Sequence, residues 1–296
     1  MSRPIVPQSV IMRYLSGYSE RQLNEIEDTY EKIHAELFAG PLFLKQDRIL
    51  LLTAGAAGAG KSTHLKAKVD KIARTEGRRF VHIDIDQILP QFPSFKWCAG
   101  QLSEYFMDVK TDEHRRALRE TTTEWTLAAK HVADRLLNDA VALGVPVAFE
   151  TSAHNNHIQD FFEGARANGY QIEIDLCDAP LSVKQDASRE RFDRGEAYVD
   201  PAAITRKHED VITNMPNFAR NADRLNILWR EHAHKDLTLV ATSEPSGNTI
   251  HDRHGAKCFD DTHRGDAGIT VGTMLQMTMH ARAQRANQSF PRTTLG

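Results

Sequence analysis

The stretch Arg48-Ile-Leu-Leu-Leu-Thr-Ala-Gly-Ala-Ala-Gly-Ala-Gly-Lys-Ser-Thr63 decides the fold. Gly55, four residues, then Gly60, Lys61 and Ser62 form the full phosphate-loop (Walker A) pattern. Ahead of it, Arg48–Thr53 is an apolar run of strand length, and behind it His64–Arg74 is a helix-forming stretch. Strand, glycine loop and helix in that order are the context the motif requires. Glycines at Gly55, Gly58 and Gly60 let the backbone turn its N–H groups inward around a phosphate. The helix start behind the loop adds partial positive charge. Lys61 supplies a full charge for the β- and γ-phosphates of ATP or GTP, and the Ser62 hydroxyl suits Mg²⁺. The loop Gly55, Ala56, Ala57, Gly58, Ala59, Gly60, Lys61, Ser62 and Thr63 is therefore the expected nucleotide site.

Working outward, further strand-sized apolar runs follow at Phe80–Asp84, Val145–Phe149, Tyr170–Leu176, Arg224–Trp229 and Leu237–Ala241. Helical patterns alternate with them: Glu104–Ala142, His157–Asn168, Leu181–Asp193 and Pro201–Asn214. Pro90, Phe92 and Pro93 read as a break. Alternation of this kind predicts an α/β fold, a P-loop NTPase-type parallel sheet sandwiched by helices. Active sites in such sheets lie at the carboxyl ends of the strands. Ser9–Ala39 reads as an N-terminal helix ended by Gly40-Pro41. Beyond Thr242 the sequence turns rich in Ser, Gly, Thr, His and Asp, with one more helix over Met274–Asn287. The expected division is a helical extension over 1–45, the kinase-like domain over 46–241 and an irregular extension over 242–296.

Composition narrows the class. No run approaches membrane-spanning length, and no secretory signal is apparent. The three cysteines, Cys98, Cys177 and Cys258, are widely spaced and odd in number, which fits a reducing, cytoplasmic setting. A net charge of −3 argues against a general nucleic-acid binder.

Several side chains fall at the expected strand ends. Asp84 and Asp86 end the second strand, where a carboxylate facing the phosphate loop positions an acceptor hydroxyl and takes its proton; strand alternation puts both on one side. A helix-capping role for Asp86 is the plainer alternative. Glu150 and Ser152 end the third strand and suit a substrate hydroxyl, with helix capping the alternative for Ser152. In Ser188–Gly195, Arg191 and Arg194 share a helical face and suit the oxygens of a transferred phosphoryl group, with Arg189 and Arg206 behind them. His251, His254, Cys258 and His263 have no recognised zinc spacing and read as a flexible surface loop. Trp97, Trp125 and Trp229 read as core.

The pair Asp84-Ile-Asp86, followed after six residues by Pro93, resembles the motif of the zeta toxin family. The phosphate loop, Glu150 with Ser152, and the arginine segment around Arg191 follow in that family's order over roughly Arg48 to Trp229. The resemblance implies a P-loop kinase related to UDP-N-acetylglucosamine kinases of toxin–antitoxin systems. It implies Asp86 as catalytic base, Lys61 and Ser62 as phosphate and Mg²⁺ ligands, and Arg191 with Arg194 as phosphate-contacting arginines. Glu150 and Ser152 correspond to sugar-nucleotide contacts, and Asp134 stands near a family carboxylate. The family's Glu-Gly-Thr is Glu150-Thr151-Ser152 here, which narrows the acceptor pocket and leaves the nucleotide-like acceptor open. If the chain is a toxin, the analogy also implies an antitoxin or other partner that blocks the nucleotide cleft. Two other readings compete: a polynucleotide 5′-hydroxyl kinase with a groove from Arg115, Arg116 and Arg119, and a non-catalytic nucleotide-binding interaction module.

Overall fold

Leu50, Leu51 and Leu52 are fully buried, which is what a strand walled by helices on both faces requires. They lie in the central strand of a computed structural model that describes residues 4–38, 47–106, 111–151, 158–193, 199–264 and 269–289. In chain order the strands are β1 Ile49–Ala54, β2 Val81–Ile83, β3 Val147–Thr151, β4 Gln171–Asp178, β5 Arg224–Trp229, β6 Thr238–Glu244 and β7 Gly247–Ile250. The helices are α1 Gln8–Arg13, α2 Glu20–Phe38, α3 Lys61–Glu76, α4 Ile85–Ile88, α5 Pro93–Tyr105, α6 Asp112–Leu143, α7 Ile158–Ala167, α8 Leu181–Asp193, α9 Pro201–Asn221, α10 Arg253–Thr262 and α11 Val271–Ser289. No helix among the described residues is long and apolar enough to cross a membrane.

The sheet runs β2-β3-β1-β4-β5-β6-β7. Its first five strands are parallel, and β6 and β7 add antiparallel to β5. Register fixes what meets at the rim. Thr53 pairs with Glu150 on one side and Asp175 on the other, while Ile83 pairs with Phe149. Glu150 and Asp84 therefore emerge side by side, one step beyond that last pairing and beside the start of the glycine loop.

The structure departs from the sequence expectations in five places. Pro93 does not break structure but opens α5 at its first position, where the missing N–H costs nothing. The N-terminal segment is two helices, turned at Gly17, whose φ of 99° suits glycine. Both pack on α6: His131 Nδ1 stands 3.1 Å from the Ile11 carbonyl of the first helix, and the Tyr30 hydroxyl of the second donates to Asp139 at 2.7 Å. Past residue 242 the chain is ordered into the remainder of β6, then β7, α10 and α11. The expected boundary at 241 thus falls inside β6, and Val240 and Ala241 are fully buried. β7 is a polar, exposed edge strand without an apolar run, and α10 depends on Asp252, whose side chain accepts from His254 N–H at 2.9 Å. Finally, Trp97 is 67% exposed, whereas Trp125 and Trp229 lie in the core.

Candidate active site

The glycine loop is shaped by what presses on it. Gly58 has φ 81° and Gly60 has φ 92°, values that L side chains seldom adopt. A Cβ on Gly58 would lie 2.9 Å from Lys184 Cα and overlap the Lys184 carbonyl oxygen; one on Gly55 would overlap the Cys177 carbonyl. The loop is therefore wedged between the end of β4 and α8, and side chains there would fill the cradle. Lys61 opens α3 and donates to the Ala56 carbonyl at 3.2 Å, so its ammonium folds over the loop.

Glu150 ties the neighbouring strand to this cradle. Its Oε2 accepts from the Ser62 hydroxyl at 2.8 Å. Its Oε1 is buried, has no hydrogen-bond partner among the described residues, and faces His82 Nε2 at 3.9 Å. Burial pushes the Glu150 carboxyl up, but His82, Lys61 and Ser62 outweigh it and hold it below the usual range. His82, Asp84 and Glu150 bring their ligand atoms within 4.8 Å of one another. With Ser62 they offer a hydroxyl and two carboxylates, a donor set that fits Mg²⁺.

Asp84 and Asp86 differ from their expected geometry. The strand stops at Ile83, so the pair does not alternate on an extended chain. Asp84 caps α4, accepting from Asp86 N–H at 2.9 Å and from the Gln87 side chain at 3.1 Å; the capping role falls to it rather than to Asp86. Burial, then the charges of Glu150 and Asp86, push the Asp84 carboxyl up. Asp86 sits in the first turn of α4 with its side chain exposed. Lys207 of α9 senses the charges of both Asp86 and Lys61. Burial and then the Lys61 charge lower the Lys207 ammonium, while Asp86 opposes them. Lys61, Asp86 and Lys130 thus all lie within electrostatic reach of Lys207.

Arg191 is half-buried near the end of α8. It lies seven residues, about 10 Å of helix, beyond Lys184 and on nearly the same face. Arg189 is exposed beside Asp186 at 3.8 Å, and Arg206 is exposed on α9. Ser152 and Arg194 lie outside the described residues. Asp134 is on α6, next to Tyr14 of the N-terminal segment; burial pushes it up to about 7, against the Tyr14 hydroxyl and the Lys130 charge.

Three contributors escaped the sequence reading. His82 and Lys207 are single residues inside regular elements, with no motif to mark them. Arg230 follows β5 and donates to the Gly58 carbonyl at 3.2 Å. Its place at a strand's carboxyl end was the one available signal.

No sequence match is found among curated proteins. Among solved structures, one from a study of the PezAT chromosomal toxin–antitoxin system of Streptococcus pneumoniae is 16% identical, with a TM-score of 0.55, covering 93% of this chain and 98% of that one. A crystal structure of AvrRxo1-ORF1:AvrRxo1-ORF2 with sulphate ions is 13% identical, with a TM-score of 0.50, covering 85% and 72%. The native complex of the same pair is 12% identical, with a TM-score of 0.50, covering 90% and 89%. At these identities the likeness is one of fold. The zeta toxin model matches residues 44–237, the stretch that holds the phosphate loop, the paired aspartates, Glu150 and Arg191, and the chain belongs to the zeta toxin family.

Proposed function

We propose that the protein is an ATP-dependent kinase that transfers the γ-phosphate to a hydroxyl of a nucleotide-like small molecule, with a UDP-sugar the first acceptor to test. The observation that carries this is the 2.8 Å hydrogen bond between Ser62 and Glu150. It joins the cradle for the donor phosphates to the carboxylate at the acceptor rim. The loop N–H groups and Lys61 hold the triphosphate. Asp86 accepts the proton of the acceptor hydroxyl as its oxygen bonds to the γ-phosphorus and the bond to the departing ADP breaks. Glu150, with Ser152 as a further contact, orients that hydroxyl. Arg191 and Arg194 are the arginines assigned to the oxygens of the transferring phosphoryl group. Mg²⁺, when bound at Ser62 and the adjoining carboxylates, supplies charge neutralisation on the phosphate oxygens.

The polynucleotide reading gains nothing from the basic residues on α6. Arg119 pairs with Asp200 at 2.8 Å, and Arg115 stacks over the Phe192 ring at 4.2 Å. A protein partner is supported by the description of one structural neighbour as part of a toxin–antitoxin system; in this chain it would cover the nucleotide cleft. The test is to incubate the protein with γ-labelled ATP and either UDP-N-acetylglucosamine or a metabolite extract, then identify the labelled product. ATP binding with no phosphorylated small molecule would leave a nucleotide-binding interaction module instead.

A further inference from the structure

The geometry points to a transition-metal site formed by Glu231, His254 and Cys258, away from the phosphate cradle and suited to Zn²⁺. His254 and Cys258 lie four residues apart on α10, so they stack on one face one turn apart. The opposite face of α10 is the buried one, carrying Gly255, Ala256 and Phe259. Glu231 reaches across from the loop after β5. The three ligand atoms lie within 4.8 Å of one another.

The distances fit a metal ion. A tetrahedral zinc ion with bonds of about 2.3 Å to sulfur and about 2.0–2.1 Å to nitrogen and oxygen sets its ligands about 3.6 Å apart for S···N and about 3.3 Å for N···O. Cys258 Sγ stands 3.6 Å from His254 Nε2, and His254 Nε2 stands 3.3 Å from Glu231 Oε1. The donor set is one soft sulfur, one imidazole and one carboxylate, which selects a borderline ion such as Zn²⁺ over Mg²⁺. Lys235 Nζ contacts the other Glu231 oxygen, Oε2, at 3.2 Å, leaving Oε1 for the metal. Water fills the fourth position of the proposed site. Binding releases the Cys258 thiol proton, and the thiolate and carboxylate then balance the dication. His251 and His263, from the same His-rich stretch, take no part: His251 Nε2 contacts Thr242 Oγ1, and His263 Nε2 contacts the buried Asp178.

The site would clasp α10 to a loop that touches the nucleotide cradle. Arg230, next to Glu231, contacts the carbonyls of His232, Ala233 and Lys235 as well as that of Gly58. The test is titration of the reduced full chain with Co²⁺. The expected result is one equivalent bound with tetrahedral visible bands and a sulfur-to-cobalt charge-transfer band, displaced by Zn²⁺. Zn²⁺ should also protect Cys258 from alkylation, read by peptide mass spectrometry. Cys258→Ser should abolish the sulfur band, and both Cys258→Ser and His254→Ala should weaken Zn²⁺ binding more than about tenfold. Asp84→Asn, in the other metal-capable cluster, should leave the band intact. Absence of a sulfur band in the wild-type chain, its survival in Cys258→Ser, or alkylation of Cys258 unaffected by Zn²⁺ would each overturn the assignment.

Discussion

Replacing Gly58 by alanine tests whether the phosphate loop is held by its contact with α8. Two costs arise. The φ of 81° is left-handed and costs an L-residue about 1–2 kcal/mol. The added Cβ also overlaps the Lys184 backbone, at 2.9 Å from Cα and closer still to the carbonyl oxygen, which adds overpacking of about 1–3 kcal/mol. The loop must yield, because Lys184 is fully buried and ion-paired with Asp178. Together these predict a loss of about 2–5 kcal/mol, or roughly 4–10 °C in unfolding temperature at about 2 °C per kcal/mol for a chain of this size. Shifting the loop also costs at least one charge-assisted hydrogen bond to the triphosphate, about 1.5–3 kcal/mol, so nucleotide affinity should fall roughly 10- to 100-fold. Gly77→Ala is the control. Gly77 has φ 66° with nothing within 4 Å of its Cβ position, so it bears only the backbone cost of about 1–2 kcal/mol. Thermal unfolding and nucleotide titration of both variants decide the matter. Equal destabilisation of the two, with wild-type nucleotide affinity in Gly58→Ala, would refute the wedge.

Three further outcomes are expected. Asp86→Ala should lower the transfer rate by about 10²–10⁴-fold while the nucleotide Kd holds; unchanged turnover would remove Asp86 from the mechanism. Lys61→Ala should weaken nucleotide binding roughly 10- to 100-fold and impair transfer as well, and a Kd within about twofold of wild type would show that the ammonium does not hold the phosphates. Asp134 is pushed up to about 7 by burial, so the folded state binds its proton more tightly than the unfolded state does. Its contribution is present at low pH and is lost as pH rises from about 4 towards 7. Asp134→Asn should therefore match wild type near pH 4 and gain roughly 1–3 kcal/mol at pH 8; a denaturation series showing a pH-independent difference would sink this account.

The parts of the fold legible in the sequence are those with strong local signals. β1, the glycine loop and α3 declare themselves through an apolar run, glycines and a following helical stretch, and α8 matches Leu181–Asp193 to the residue. The elements near residue 250 gave no such signal. β7 is a four-residue exposed strand that exists because β6 offers it an edge, and α10 is a short helix defined by a cap and one buried face. At the site, the glycine loop and Glu150 followed from motif and register. Of the Asp84 and Asp86 pair, it is Asp84 that caps a helix, because the strand stops at Ile83. Arg230 reaches the cradle only through tertiary packing, which no periodicity encodes.

The buried charges behind the loop explain why the last fifth of the chain belongs with the nucleotide cradle. Lys184 and Asp178 are both fully buried and paired, and such a pair is tolerated only if its remaining hydrogen-bonding positions are filled. Lys184 Nζ donates a hydrogen bond to His208 Nδ1 of α9 at 2.6 Å, and His263, the residue that closes α10, meets Asp178 Oδ2 at 2.6 Å. Burial alone would push the Asp178 carboxyl up; Lys184 and His263 together hold it well below its ordinary range. Removing His263 would leave one oxygen of a buried carboxylate without its partner, a cost of about 1–3 kcal/mol or more. That cost would fall on Lys184, whose carbonyl is the surface against which Gly58 is seated. His263, at the end of α10, therefore supports the phosphate loop through Asp178 and Lys184.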